Sequence, residues 1–256
     1  MRLNILIIGS GWLGQPLTKT LMQSGHTVTI TSTQQTKVDQ LKADGFNVIK
    51  YNLGQAINNH NAFFSRDLVI IATTCKQPHH FVGISEKLNK LTKHLIYISS
   101  TSVYQNNGEI HDEGSKNLDQ ESPILEIEHT IQQHPSATIV RFAGLVGPQR
   151  HPGRFFQQGR KVKSPAAPVN LIHLDDCIGI IHTIIDQHAW NQIFNGCADN
   201  HPAKFVYYTQ MASQLDFQLP EFDENTTGSH KIIDNQNSKS VLGYSYKYPD
   251  VMNMTF

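Results

Sequence analysis

The segment Gly9-Ser10-Gly11-Trp12-Leu13-Gly14 constrains the fold of this chain more than any other. It directly follows the apolar run Leu3-Asn4-Ile5-Leu6-Ile7-Ile8, which reads as a fully buried strand bounded by glycine. Leu17, Leu21 and Met22 then share one face of a 3.6-residue period and read as a helix. Strand, glycine turn and helix in that order give each glycine a task. Gly9 allows the tight turn, Gly11 lets backbone approach a pyrophosphate, and Gly14 lets helix pack closely on strand. Phosphates in such a turn lie at the helix N-terminus, where unpaired N–H groups and the dipole favour anions. The segment is read as a dinucleotide-binding turn, against the competing reading of a purely structural one.

The remaining apolar runs extend this unit. Thr27-Val28-Thr29-Ile30-Thr31 reads as a β-branched second strand, and Asn47-Val48-Ile49 begins a third after a short helix carrying Val38 and Leu41. Leu68-Val69-Ile70-Ile71-Ala72 is continuously apolar, as a strand covered on both faces should be. Leu95-Ile96-Tyr97-Ile98-Ser99 and Thr138-Ile139-Val140-Arg141-Phe142 give a fifth and a sixth strand, with a helix marked by Ile124, Ile127 and Ile131 between them. Strands alternating with helical patterns indicate an α/β fold, a doubly wound parallel sheet of the Rossmann type. Its ligands lie at the carboxyl ends of the strands. The segments that follow strand ends are therefore the candidate cofactor contacts: the glycine turn, Ser32 with Thr33, Ala72-Thr73-Thr74, Ser99, and Phe142-Ala143-Gly144-Leu145.

Beyond the sixth strand runs a Pro-, Gly- and Arg-rich loop, 147–168, followed by the run Val169-Asn170-Leu171-Ile172 and a helix over 175–187. Past Cys197 the chain turns polar, with one helix around 205–215 and a shorter one ending at Gly243. This order divides the chain into a dinucleotide-binding core, 1–146 completed by 169–197, and a small substrate-side lobe, 147–168 with 198–256.

The 256 residues suffice for one large α/β domain with or without such a lobe. Acidic and basic residues balance at 21 each, so no net field recruits nucleic acid or an anionic membrane. The cysteines Cys75, Cys177 and Cys197 are far apart and form no C-x-x-C pair, which suits free thiols in a reducing compartment. The apolar run after Arg2 is too short for a signal peptide and enters the glycine turn instead of a cleavage site. No stretch approaches membrane-spanning length, and a soluble, cytoplasmic protein is expected.

Four motifs in this order carry a resemblance: Gly-Ser-Gly-Trp-Leu-Gly at 9–14, Ile-Ser-Ser-Thr-Ser-Val-Tyr at 98–104, Arg-Phe-Ala-Gly-Leu-Val-Gly-Pro at 141–148, and Ile-His-Leu-Asp-Asp at 172–176. Over nearly its whole length the chain resembles the NAD(P)-dependent epimerase/dehydratase-like proteins of the extended short-chain dehydrogenase/reductase superfamily, in its atypical branch. The resemblance implies an NAD(P)-dependent oxidoreductase or epimerase-like enzyme acting on a small polar, sugar-derived substrate. It also implies a serine after the fifth strand, matched by Ser100, that orients the reacting oxygen. Redox members carry a Tyr-x-x-x-Lys pair on the next helix. When the family's glutamate is matched to Glu128, that pair falls on Gln120 and Ile124, and neither can transfer a proton.

Three readings of this departure stand. Another group supplies the acid or base, with Tyr104, His111 and Glu113 just past Ser100 as candidates; or the chemistry needs no tyrosine; or the protein binds the nucleotide and catalyses nothing. Against these roles, Tyr104 reads as packing beneath the cofactor, and His111 and Glu113 as solvated loop residues. Cofactor choice rests on the end of the second strand. Thr31-Ser32-Thr33-Gln34 with Lys37 beyond offers hydroxyls, amides and a cation but no acid for a ribose 2′-OH, which favours NADP over NAD. Asp175 and Asp176 read as N-cap and first-turn acids, Trp12 as packing on the first helix, and His79-His80 as unsuited to a metal. Arg150, Arg154 and Arg160 are either a receptor for an anionic substrate or a solvated basic loop.

Overall fold

The computed structural model describes residues 1–57, 59–157, 160–223 and 228–256. In chain order its elements are β1 (Asn4–Ile8), α1 (Gly14–Gln23), β2 (Thr27–Ser32), α2 (Gln35–Ala43), β3 (Asn47–Lys50), α3 (His60–Phe64), β4 (Arg66–Ile71), α4 (Pro78–Leu91), β5 (Thr92–Ser100), β6 (Ile110–His111), α5 (Pro123–Ile131), β7 (Ala137–Phe142), β8 (Gly144–Val146), β9 (Val162–Lys163), β10 (Leu171–His173), α6 (Leu174–Asp186), β11 (Ile193–Gly196), α7 (Lys204–Ser213), β12 (Phe222–Asp223), β13 (Ile232–Ile233) and α8 (Gln236–Ser240).

Seven strands form one sheet in the order β11-β7-β5-β4-β1-β2-β3. The pairings β5-β4, β4-β1, β1-β2 and β2-β3 are all parallel. The chain winds outward from β1 to β3, then returns to the other side of β1 with β4. The topological switch therefore lies between β1 and β4, where open α/β sheets bind their ligands. This is the Rossmann-type NAD-binding fold read from the six apolar runs. The seventh strand, β11, is too short to stand out as an apolar run. The run 169–172 does not enter this sheet: Leu171, Ile172 and His173 of β10 pair instead with Gly144, Leu145 and Val146 of β8.

The chain forms two compact units. The first comprises Met1–Ser100, Gln120–Arg141 and Ile184–Ile193. Its core packs the inner faces of β1, β4 and β5 against Phe63, Phe64, Phe81, Ile84, Leu88, Ile127 and Ile131. The second comprises Thr101–Asp119, Phe142–Thr183 and Phe194–Phe256. It has its own core of Val146, Val169, Leu171, Tyr207, Met211, Val251 and Met254. This division runs along other lines than 1–146 with 169–197 against 147–168 with 198–256. The segments 101–119 and 142–146 are fixed by hydrogen bonding within the second unit, which periodicity does not reveal. Positions 158–159 and 224–227 of the expected lobe lie outside the described residues.

Two helix readings need correction. Gln120 does not sit on α5, which begins at Pro123 after Ser122. Asp175 and Asp176 occupy the first turn of α6, but neither is its N-cap, since the helix already starts at Leu174. Asp176 is buried and holds the C-terminal segment, accepting from the Tyr244 hydroxyl at 2.8 Å and from the backbone N–H groups of Lys247 and Tyr248 at 2.6 and 3.1 Å.

Candidate functional site

In the glycine turn, Gly9 and Gly14 are held by close backbone contacts. Gly9 has φ +120°, and a Cβ there would run into the Ala72 carbonyl oxygen. A Cβ on Gly14 would run into the Gly9 carbonyl oxygen, so α1 packs directly on the turn. Gly11 differs: it has ordinary φ, and a Cβ would meet nothing within 4 Å. The turn is tied to its neighbours by the Gly9 N–H, which donates to Thr31 Oγ1 at 3.0 Å, and the Ala72 N–H, which donates to the Ile8 carbonyl at 2.9 Å. Leu13 is buried and Trp12 half-buried at the start of α1.

Around this turn lies a cleft of about 530 Å³ within the first unit. The structure brings Gly9, Ser10, Gly11, Ser32, Thr33, Ala72, Thr73 and Thr74 together on its wall, with Lys37 beside them. No carboxylate appears in the described lining. Three helices begin there: Gly11 leads into α1, Gln34 is the N-cap of α2 and Gln77 that of α4. None of the three has a side-chain cap or an acid in its first turn, so their positive ends are not neutralised by the chain itself. A cleft with these features fits a dinucleotide, whose pyrophosphate needs backbone approach at Gly11 and uncompensated N–H donors.

Sequence reasoning missed part of the wall. Tyr51, Asn52 and Leu53 follow β3, Cys75 and Gln77 lead into α4, and His80 lies in its first turn. Tyr51 is placed by its own N–H, which donates to the Ser32 carbonyl at 3.0 Å. The available signal was the rule that located the other contacts, since residues 51–53 also follow a strand end.

Other candidates serve the packing of their units. Ser99 is buried and donates its hydroxyl to Glu128 at 2.5 Å. Glu128 in turn accepts from Arg141 Nη2 at 2.6 Å and Nε at 3.0 Å, a buried ion pair joining β5, α5 and β7. The hydroxyl of Ser99 is thus engaged in the core. Ile124 is buried as well. Ser100 is half-buried at the end of β5.

In the second unit Tyr104 is 1% exposed, donates its hydroxyl to Asn195 Oδ1 at 2.8 Å and stacks on His111 at 5.1 Å between ring centres. His111 is not a solvated loop residue; it is fully buried and donates from Nε2 to the Gln105 carbonyl at 3.0 Å. Glu113 is half-buried and accepts the Asn195 N–H at 2.6 Å, and burial raises its pKa. These side chains replace the backbone pairing that so short a strand as β6 cannot supply. Phe142 and Ala143 are buried, while Gly144 and Leu145 lie in β8. Arg154 and Arg160 are exposed and sit over Phe217 and Phe156 at 5.6 and 5.7 Å, and Arg150 is exposed. Among the described residues no group of three or more His, Cys, Asp or Glu is placed to hold a metal, and no helix is long and apolar enough to cross a membrane.

Residues 4–119 match the family NAD binding domain of 6-phosphogluconate dehydrogenase. Protein YeeZ of Escherichia coli (strain K12) is 32% identical, over 98% of this chain and 98% of its own. Among solved structures, UDP-glucuronic acid 4-epimerase from Bacillus cereus in complex with NAD superposes with a TM-score of 0.80 at 15% identity, over 98% of this chain and 95% of that one. The human epimerase family protein SDR39U1 (isoform2) with NADPH gives 0.71 at 16% identity, over 97% and 96%. These two likenesses are of fold.

Proposed function

The chain belongs to the family of Escherichia coli Protein YeeZ, and on that premise we propose that it is an NAD(P)-dependent oxidoreductase or epimerase-like enzyme acting on a small polar, sugar-derived substrate. One observation carries the cofactor half of this reading. Gly9 and Gly14 are locked by backbone contacts, whereas at Gly11 there is room for a Cβ, on a cleft with no carboxylate among its described lining where three helices start. Gly9, Ser10 and Gly11 hold the pyrophosphate, and Ser32, Thr33 and Lys37 receive the adenosine ribose. With hydroxyls and a cation in place of an acid, that end accepts a 2′-phosphate, so NADP binds at least as well as NAD. When bound, the nicotinamide supplies or takes the hydride. Ser100, at the end of β5, orients the reacting oxygen. The likeness to UDP-glucuronic acid 4-epimerase supports a sugar-nucleotide substrate class.

Calorimetric titration with NADP and NAD tests the cofactor, and a sugar-nucleotide screen at the nicotinamide absorbance band tests turnover. Ser100→Ala should slow that turnover by roughly 10²–10⁴ with little change in cofactor affinity. Equal turnover in wild type and Ser100→Ala would remove Ser100 from the chemistry. A second reading, a nucleotide-binding protein without turnover, is favoured by one observation. The positions matched to the proton-relay pair are a core residue, Ile124, and a residue outside the helix, Gln120. Tight NADP binding with no turnover of any sugar nucleotide would establish it.

A further inference from the structure

Within the cleft, the stretch after β4 carries a nucleophile and a base. Cys75 Sγ lies 3.6 Å from His80 Nδ1, and both residues line the cavity. Each is held from behind. The Cys75 N–H donates to Thr73 Oγ1 at 3.2 Å, and the His80 ring packs on Gly54, where it would meet any Cβ and where φ is +85°. Tyr51 also lines the cavity, 4% exposed, with its hydroxyl turned to the Gly54 backbone. Cys75 is half-buried, whereas Cys177 and Cys197 are fully buried and burial raises their thiol pKa values. Of the three thiols only Cys75 has both access and a neighbouring base.

We propose that Cys75 and His80 form a reactive thiol site that captures an anionic low-molecular-weight disulfide, and that the resulting adduct closes the cleft to nucleotides. With Nδ1 as acceptor, His80 takes the Sγ proton. The Cys75 thiolate attacks one sulfur of the disulfide; a new S–S bond forms to Cys75 and the old one breaks. The departing thiolate takes the proton back from His80, so one thiol is released for each adduct and the exchange balances. Lys37 and the uncapped start of α4, which also line the cleft, favour an anionic reagent. The second half of the proposal rests on the dinucleotide reading of the cleft; the first does not.

The test uses glutathione disulfide and follows each cysteine by peptide mass. Cys75 is expected to react first, faster in the folded protein than in the urea-unfolded chain, and His80→Gln to slow it by about tenfold or more. Cys75→Ser should abolish the early adduct. If Cys75 reacts no faster folded than unfolded, or if His80→Gln and His80→Asn leave its rate unchanged, the reactive site is overturned. The adduct should also lose NADP binding by calorimetry and regain it on reduction; unchanged affinity of the adduct would overturn the closure. Should unmodified protein bind neither NADP nor NAD, the dinucleotide reading and the closure fall together, while the His80-dependent rate still decides the thiol site on its own.

Discussion

At the scale of single residues, the three glycines of the turn make opposite predictions. Gly11 faces open space with ordinary φ, so Gly11→Val should fold normally and lose dinucleotide affinity, because its side chain occupies the cleft. Gly9→Ala and Gly14→Ala drive a Cβ into backbone carbonyls that cannot move aside, and Gly9 adds an unfavourable φ. Both should destabilise the fold itself, read as lowered melting temperatures before any ligand is added. Calorimetry showing unchanged NADP affinity in folded Gly11→Val would remove the cofactor claim. Ser32 gives a second test. It ends β2 on the cleft wall, and Ser32→Asp places a carboxylate at the proposed 2′-phosphate site. NADP should then lose about 1–3 kcal/mol relative to NAD, enough to reverse their order. A wild-type protein preferring NAD tenfold would sink that assignment. The places of Gly9 and Gly14 were legible because each is a backbone constraint that only glycine meets. Ser99 was misplaced because a serine at a strand end reads the same whether its hydroxyl turns to the ligand or, as here, to Glu128.

Between elements, the buried pair that Ser99 completes ties three of them together. Glu128 and Arg141 are almost fully enclosed and bring together β5, α5 and β7. Removing one partner strands a charge, so Arg141→Leu or Glu128→Leu alone should cost about 3–5 kcal/mol in urea unfolding. Removing Glu128, Arg141 and the Ser99 hydroxyl together leaves no orphan within the triad, and the triple variant should be far closer to wild type than either single variant. If the losses simply add, the pair is not the coupled unit its geometry implies. Sequence pattern placed these elements well: β2, β4, β7, α5 and α6 fall within one or two residues of their apolar runs and β5 begins three residues earlier than its run, because burial on a sheet or a helix face is what periodicity records. It could not place α3, β6, β9, β12 or β13, which span five residues or fewer. Too few side chains repeat in such pieces to define a face; in the second unit, hydrogen bonds donated by Asn195 and Lys231 and accepted by Asp176 tie the segments together.

Across the whole molecule, the fourteen histidines of a chain with no net charge acquire a purpose that composition alone does not suggest. Four of them use Nδ1 to accept a backbone N–H: His26 from Leu3 at 3.2 Å, His134 from Ser136 at 3.1 Å, His151 from Gly153 at 3.0 Å and His173 from Asp175 at 3.1 Å. His134 and His173 also donate from Nε2 to the carbonyls of Thr92 and Thr255, at 3.1 and 2.9 Å. Both ring nitrogens are then committed, and a second proton on Nδ1 would face a donor. Burial lowers the pKa of all four. A histidine with a lowered folded-state pKa binds fewer protons folded than unfolded between its two values, so stability rises with pH there. The contribution is fully present above the unfolded value of about 6.5 and is lost as the pH falls through the folded value. Glu113, whose pKa burial raises, favours the folded state as its proton is taken up and opposes this slope. Urea midpoints measured from about pH 7.5 down to about pH 5 should therefore fall, with the steepest part below about 6.5. His134→Gln keeps an acceptor for the Ser136 N–H without a titrating group, and should flatten that dependence; His173→Gln should do the same for the Asp175 N–H. If the midpoint in both variants falls with acid as steeply as in wild type, these histidines are not what acid unfolds, and the carboxylates that accept hydrogen bonds in the folded chain, Asp67 foremost, become the groups to replace.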